Sequence, residues 1–472
     1  MSPLRVEDVE DVYGLTATQE GMLYECVKSG DPALYVEQVA WSFRGELNEN
    51  AFRSAWARLI ARHPALRTRF EWRLKKPVQI VMRQAAAEIS SVQNVAAGTS
   101  PAGDLLGGYL ASDHARGMAL DRAPLLRVAF FKLDEAHTRV VMTGHHLILD
   151  AWSTRILMRE WSQIYEHLAH SAALKLPAPV LFRDVVRWEK ERDLKVSEAF
   201  WQRALASVCL PPPRPQRSVT GGTHRITKWQ VSSECMGQLQ HQARRLRVTL
   251  ATLAHAAWAA AVAESDSTDN VTLGTIVSGR DRDLPGIDSI VGVLIHCIPL
   301  PIDVPRRGSV PQWVRSMQER YRDVIAHQHV PLRRIRQLRD VPVERTLFDS
   351  VVIFQNAGWT VRDQFGSLVV EDTATYGHSS YPLSVRFSPG SGTLELEVLW
   401  STYQYSDAHI ATLTRRLTEC LDFFASMSAQ GDADMNDLFA WKIGGRSGRA
   451  PALSRLKGFQ PVPVARKSPS VP

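Results

Sequence analysis

Residues 144–153 read Gly-His-His-Leu-Ile-Leu-Asp-Ala-Trp-Ser, placing two imidazoles, a carboxylate and an indole on one short segment. A neutral imidazole near its own pKa can take a proton from an attacking amine or alcohol, or orient that nucleophile, which is the chemistry acyl transfer requires. The segment lies where an apolar strand ends and a helix begins. Successive side chains of a strand point to opposite faces, so His145 and His146 cannot form a symmetric dyad: one faces a cavity while the other packs or braces the turn. A metal site using His146 and Asp150 at four-residue spacing is a second reading, but it lacks a third ligand, and the Leu-Ile-Leu between them reads as core. Histidines that are merely satisfied inside a core are the third.

The elements around this segment are readable from periodicity. Val39, Trp41 and Phe43 alternate as in a half-buried strand, and Phe52, Ala55, Trp56, Leu59 and Ile60 recur at helical spacing behind an N-cap at Asn48 or Asn50. Residues 126–134 and 139–143 read as neighbouring strands leading to the histidines; Leu157, Trp161, Ile164, Tyr165 and Leu168 mark the helix that follows. Prolines interrupt the pattern in 171–180 and again in PPPRP at 211–215. The same vocabulary then returns: a strand at 225–231, helices near 233–246 and 249–264, strands at 271–277, 348–355 and 393–400, and a last helix over 406–428. A chain of 472 residues exceeds what one core fills. The expectation is an α/β protein with an N-terminal lobe over 1–175, a C-terminal lobe over 176–440 and a tail over 441–472.

Composition narrows the function classes. The first residues are acidic, and no segment has the apolar length of a spanning helix, so the sequence predicts neither a signal peptide nor a membrane partner, and a cytoplasmic location. Cys26, Cys209, Cys235, Cys297 and Cys420 are scattered and never form CxxC, which argues against a disulfide framework and a zinc knuckle. The net charge of +7 is matched by seven basic residues in 441–472, where no acidic residue occurs. The body is therefore near neutral and lacks the basic, aromatic-studded face that nucleic acid requires. The tail, rich in Pro, Ser, Arg and Gly, predicts a flexible solvated extension.

From about residue 10 to 430 the chain resembles the condensation-domain family of nonribosomal peptide synthetases, related to chloramphenicol acetyltransferase. Residues 15–23, LTATQEGML, are similar to the family's opening segment, and 62–70, RHPALRTRF, to its RHExLRTxF signature. His145, His146 and Asp150 match HHxxxDG. Then come 182–188 (FRDVVRW), Ser278-Gly279-Arg280, 291–295 (VGVLI), 327–332 (HQHVPL) and 347–350 (LFDS), all in family order. Ordered matches of this kind leave little room for coincidence.

The resemblance implies two acetyltransferase-like lobes arranged as a V-shaped pseudo-dimer around a central channel, and a stand-alone acyltransferase. His145, His146 and Asp150 would form the catalytic motif, with His146 projecting into the channel to position or deprotonate the nucleophile. Asp150 would pair with Arg280 to fix the loop, and His145 and Arg67 would be structural. No metal or bound cofactor is implied; donor and acceptor would arrive on phosphopantetheine arms of carrier proteins, and a monomer is expected. Ala151 stands where the motif has Gly, and His296, Cys297 and Pro301 stand where the family usually has Asn, Thr and Arg. Ala151, Trp152 and His296 are thus candidate channel- or acceptor-lining positions, although Trp152 also reads as the first core anchor of its helix. The competing functions are a coenzyme A-dependent acyltransferase, an epimerising relative and a non-catalytic docking module.

Overall fold

The structure is a computed structural model, and it describes residues 5–92, 102–206, 208–212, 224–342, 345–355, 364–377, 381–390, 392–428 and 433–442. Most of the 441–472 tail lies outside the described residues. Two six-stranded sheets, each covered by helices, form two lobes. A three-stranded sheet of Val9–Gly14, Val78–Met82 and Thr68–Glu71 flanks the first.

The first large sheet runs Gln364–Phe365, Leu368–Tyr376, Val36–Arg44, His137–His145, Leu126–Lys132, Glu88–Val92. The helices Glu49–Arg62 and Ala151–His170 pack together on it. Asn48 caps the first of these, its side chain accepting the Ala51 N–H at 3.0 Å. The buried rings of Phe43, Phe52, Trp56 and Trp161 meet beneath them, with Phe52 edge-on to Trp161 at 5.4 Å.

The second sheet runs His296–Asp303, Asn270–Val277, Ser350–Phe354, Leu383–Pro389, Leu394–Ser401, His224–Val231. Ser350–Phe354 is parallel to both neighbours, while the outer pairings are antiparallel. The helix Leu250–Ser265 is Ala-rich and buried nearly all round, as a helix enclosed by others must be. The helices Ser233–Leu246, Val310–Ala326 and Asp407–Ser426 contact it. Among the described residues no single helix is long and apolar enough to cross a membrane.

One pairing departs from the linear division at 175. Leu368–Tyr376 pairs antiparallel with Val36–Arg44, so a strand from the second half of the chain completes the first lobe's sheet. The boundary 176–440 therefore does not hold for residues 364–376. This crossover ties the lobes by a ladder of backbone hydrogen bonds beside the strand that faces the histidines.

Candidate active site

The strand His137–His145 ends at His145, and the chain turns through residues 146–150 before the helix Ala151–His170 begins. The two histidines diverge as strand geometry demands. His145 is buried; its Nδ1 accepts the Leu147 N–H at 3.0 Å, which stiffens the turn. Burial, followed by the charge of neighbouring His146, holds the His145 pKa down at about 3, so this ring is neutral.

His146 faces the other way and keeps 16% of its side-chain surface exposed. Its backbone N–H donates to Tyr35 O at 2.9 Å, its Nδ1 lies 2.9 Å from Leu149 O, and its Nε2 lies 2.8 Å from Glu37 Oε1. Burial alone would lower its pKa. The charge and hydrogen bond of Glu37, aided by Leu149 O and the charge of Asp150, outweigh burial and hold it up at about 9. Glu37 feels the reciprocal effect: burial pushes its pKa up, but His146, and then Arg386, bring it below the ordinary carboxylate value. A cavity of about 20 Å³ touches Glu37, Met142, Gly144, His146 and Thr154, room for about one water.

Asp150, which with His145 and Leu149 also borders that cavity, acts as a junction. Its Oδ1 accepts the Ser153 N–H and the Ser153 hydroxyl, both at 2.7 Å, which makes it the N-cap of the helix. Its Oδ2 accepts the Leu294 N–H at 3.0 Å, and Arg280 Nη2 reaches both oxygens at 3.3 and 3.4 Å. Arg280 also donates through Nη1 to Ile287 O and Ile290 O. Ser153 Oγ meanwhile accepts the Gly292 N–H, and its single hydroxyl proton is shared between Asp150 Oδ1 and Gly292 O, each 2.7 Å away. The His146 loop is thereby fixed to the 287–294 loop of the other half of the chain. The turn that aims Arg280 needs glycine: Gly279 has φ +63°, and a Cβ there would lie 2.1 Å from Leu294 O.

The remaining sequence candidates fall at different distances from this chemistry. Arg67 is buried among Glu10 and the carbonyls of Ile60, Met82 and Arg83, tying the three-stranded sheet together. Ala151 is the exposed first residue of its helix, a position with helical backbone that Ala fills without strain. Trp152 is not a core anchor: it is 38% exposed, donates Nε1–H to Asp288 O at 2.9 Å, and lies over the Arg280 guanidinium at 5.3 Å. At the first turn of a helix the side chain leans back past the N-terminus, here across to the facing loop. His296 has Nδ1 3.1 Å from Leu294 O and Nε2 3.0 Å from Gln328 O, so its ring braces two loops. Burial, then the nearby Arg282 charge, holds its pKa down at about 4.

The metal alternative finds no donor set. Asp150 is saturated by Ser153, Leu294 and Arg280, and among the described residues no group of three or more His, Cys, Asp or Glu could hold an ion. Two contributors to the loop were not read as such from the sequence, although Gln19 lies within the 15–23 segment. Glu37 is one; Gln19 is the other, buried, donating Nε2–H to Leu147 O at 2.9 Å while its Oε1 accepts the Thr16 N–H in a capping box.

Comparison with known proteins gives this geometry its context. Residues 9–438 match the condensation domain family. The chain is 30% identical over 439 residues to a linear gramicidin synthase of Brevibacillus parabrevis, covering 91% of this chain and 6% of that protein. It is 31% identical over 365 residues to chondramide synthase cmdD of Chondromyces crocatus, covering 76% and 9%. The chain thus spans less than a tenth of the length of these relatives. Among solved structures, SgcC5 from Streptomyces globisporus superposes with a TM-score of 0.74 at 19% identity, covering 89% of this chain and 100% of that one. The first condensation domain of the calcium-dependent antibiotic synthetase gives 0.76 at 16%, covering 91% and 99%. The structures share the two-lobed fold, and the family match spans both lobes and the histidine loop between them: this chain belongs to the condensation-domain family, acyltransferase-type enzyme domains of nonribosomal peptide synthetases.

Proposed function

We propose that this chain transfers an acyl or aminoacyl group from a carrier-protein thioester to an amine or alcohol acceptor, forming an amide or ester. The observation that carries the reading is His146: a partly exposed imidazole, on a loop that a buried ion pair locks to the other half of the chain. The acceptor nitrogen or oxygen forms a bond to the thioester carbonyl carbon, the carbon–sulfur bond breaks, and the acceptor's proton ends on the released thiol. Holding two tethered reactants in line supplies most of such a rate enhancement, because the encounter entropy is lost on binding and not at the barrier. An N–H of His146 directed at the reacting centre adds electrostatic stabilisation where charge develops on the carbonyl oxygen.

The phosphopantetheine arms are substrate carriers here, and the residues that act on them belong to this chain. The test is to load acyl groups on a carrier protein, offer amine and alcohol acceptors, and follow intact masses with wild type and His146→Ala. Product that depends on His146 supports the assignment. Equal product from the variant, or turnover of coenzyme A thioesters with no turnover of carrier-bound ones, defeats it.

A further inference from the structure

Both ring nitrogens of His146 face acceptors. Nδ1 lies 2.9 Å from a backbone carbonyl, Leu149 O, and Nε2 lies 2.8 Å from a carboxylate oxygen, Glu37 Oε1. With Glu37 ionised, as the His146 and Arg386 charges favour, both neighbours are acceptors only, and a neutral imidazole with one N–H and one lone pair can satisfy just one of them, whereas the doubly protonated ring satisfies both. We infer that Glu37 is a positioning residue of the transfer reaction: its carboxylate takes the Nε2–H and holds His146 as an imidazolium, so that the ring acts as a charged hydrogen-bond donor and not as a proton acceptor. This rests on the assignment of His146 to acyl transfer.

The surroundings of Glu37 support the role. It sits on Val36–Arg44, opposite Gly144 in the antiparallel ladder, next to the pair Val36 and His145. That register brings its side chain across the end of the strand to His146. The crossing strand fits closely over it, since a Cβ on Gly377 would lie 3.1 Å from Glu37 Oε1. From the second lobe, the charge of Arg386 on Leu383–Pro389 favours the ionised carboxylate; Arg386 is itself bonded to Glu397, which also takes Lys228. The other charged groups facing His146 are few. Asp150 adds negative charge but is neutralised by Arg280, and His145 behind the loop is neutral. The raised pKa of His146 agrees with the geometry.

The chemistry that follows differs from simple base catalysis. A substrate oxygen reaching the ring competes with Glu37 for the Nε2–H, and a charge-assisted bond to a developing oxyanion is about twice as strong as a neutral one. The carboxylate beside the ring keeps it protonated while the exchange occurs.

The experiment is a titration of the imidazole resonances of histidine-labelled full-length chain, with His146→Ala used to identify the signal, in wild type, Glu37→Gln and Glu37→Asp. Glu37→Gln keeps shape and removes charge, so His146 should fall from about 9 to below the ordinary value near 6.5, because burial then dominates. Glu37→Asp should lie between. With an active acyl donor, kcat of Glu37→Gln near pH 8 should drop at least about tenfold while KM changes little, with partial rescue by aspartate. A wild-type ring titrating at or below 6.5, or one that Glu37→Gln leaves unmoved, overturns the inference. The titration needs no turnover, so an inactive wild type would count against the acyl-transfer assignment and leave this result standing.

Discussion

Replacing Asp150 by alanine is the sharpest perturbation of the loop that holds His146. Three losses follow from the structure. The helix Ala151–His170 loses its N-cap, worth about 1 kcal/mol. The Leu294 N–H is left without its acceptor, at about 1–3 kcal/mol. Arg280, whose side chain is 3% exposed, becomes a buried cation without a counter-ion, at about 3–5 kcal/mol. The losses share one site and overlap, so a total of about 5 kcal/mol is expected, a large fraction of an ordinary folding stability. Most of it comes from the stranded charge. Arg280→Met in the Asp150→Ala background should therefore give no further loss, although Arg280→Met alone should cost about 3 kcal/mol by stranding the carboxylate. The assay is a double-mutant cycle by urea unfolding, supplemented by hydrogen exchange at the Leu294 amide, since two lobes need not unfold in one step. Additive single effects would show that the pair does not couple the loops, and would refute the reasoning.

Further outcomes follow from individual contacts. His145→Phe should leave the Leu147 N–H without its acceptor and cost about 1–3 kcal/mol in thermal unfolding. Gly377→Val should push against Glu37 and lower turnover with the fold intact, read as reduced kcat at an unchanged melting temperature. Stability should decline as pH falls below about 6.5, because buried His145, His255 and His296 are held at about 3, 4 and 4 and so bind protons in the unfolded chain first. His255 alone is worth on the order of 3 kcal/mol across that range, so His255→Gln should flatten the acid limb of a pH–stability curve. His146 has the opposite sign: its contribution is complete below about 6.5 and is lost as pH rises through about 9.

What the sequence made legible followed local rules. The helix at Glu49–Arg62 announced itself through Asn48 and its apolar face, and the divergence of His145 from His146 followed from strand alternation. The pairing of Leu368–Tyr376 with Val36–Arg44 did not, because nothing local in either strand says which distant edge it will complete. Trp152 misled for a related reason. It lies one helical turn before Ile156 on the apolar face, yet at the helix start no preceding turn exists to bury it, and the ring crosses to Asp288. Glu37 left a faint trace: a carboxylate in line with Val39, Trp41 and Phe43, on the face of a strand that is otherwise apolar. Its partner depended on register, which periodicity cannot supply.

Two carboxylates therefore serve one imidazole, and their environments separate their tasks. Asp150, with no exposed side-chain surface, accepts from Ser153, Leu294 and Arg280; any movement would strand several buried groups at once, so it can only hold the loop still. Glu37 is 29% exposed and bonded to His146 itself, so it can yield its place to a substrate oxygen at small cost. The motif around His146 consequently encodes rigidity, whereas the charge on the ring is set by a strand residue roughly a hundred positions earlier. A chain with the motif intact but a neutral residue at position 37 should fold equally well, and its imidazole would then be neutral at physiological pH, suited to accepting a proton and not to donating one.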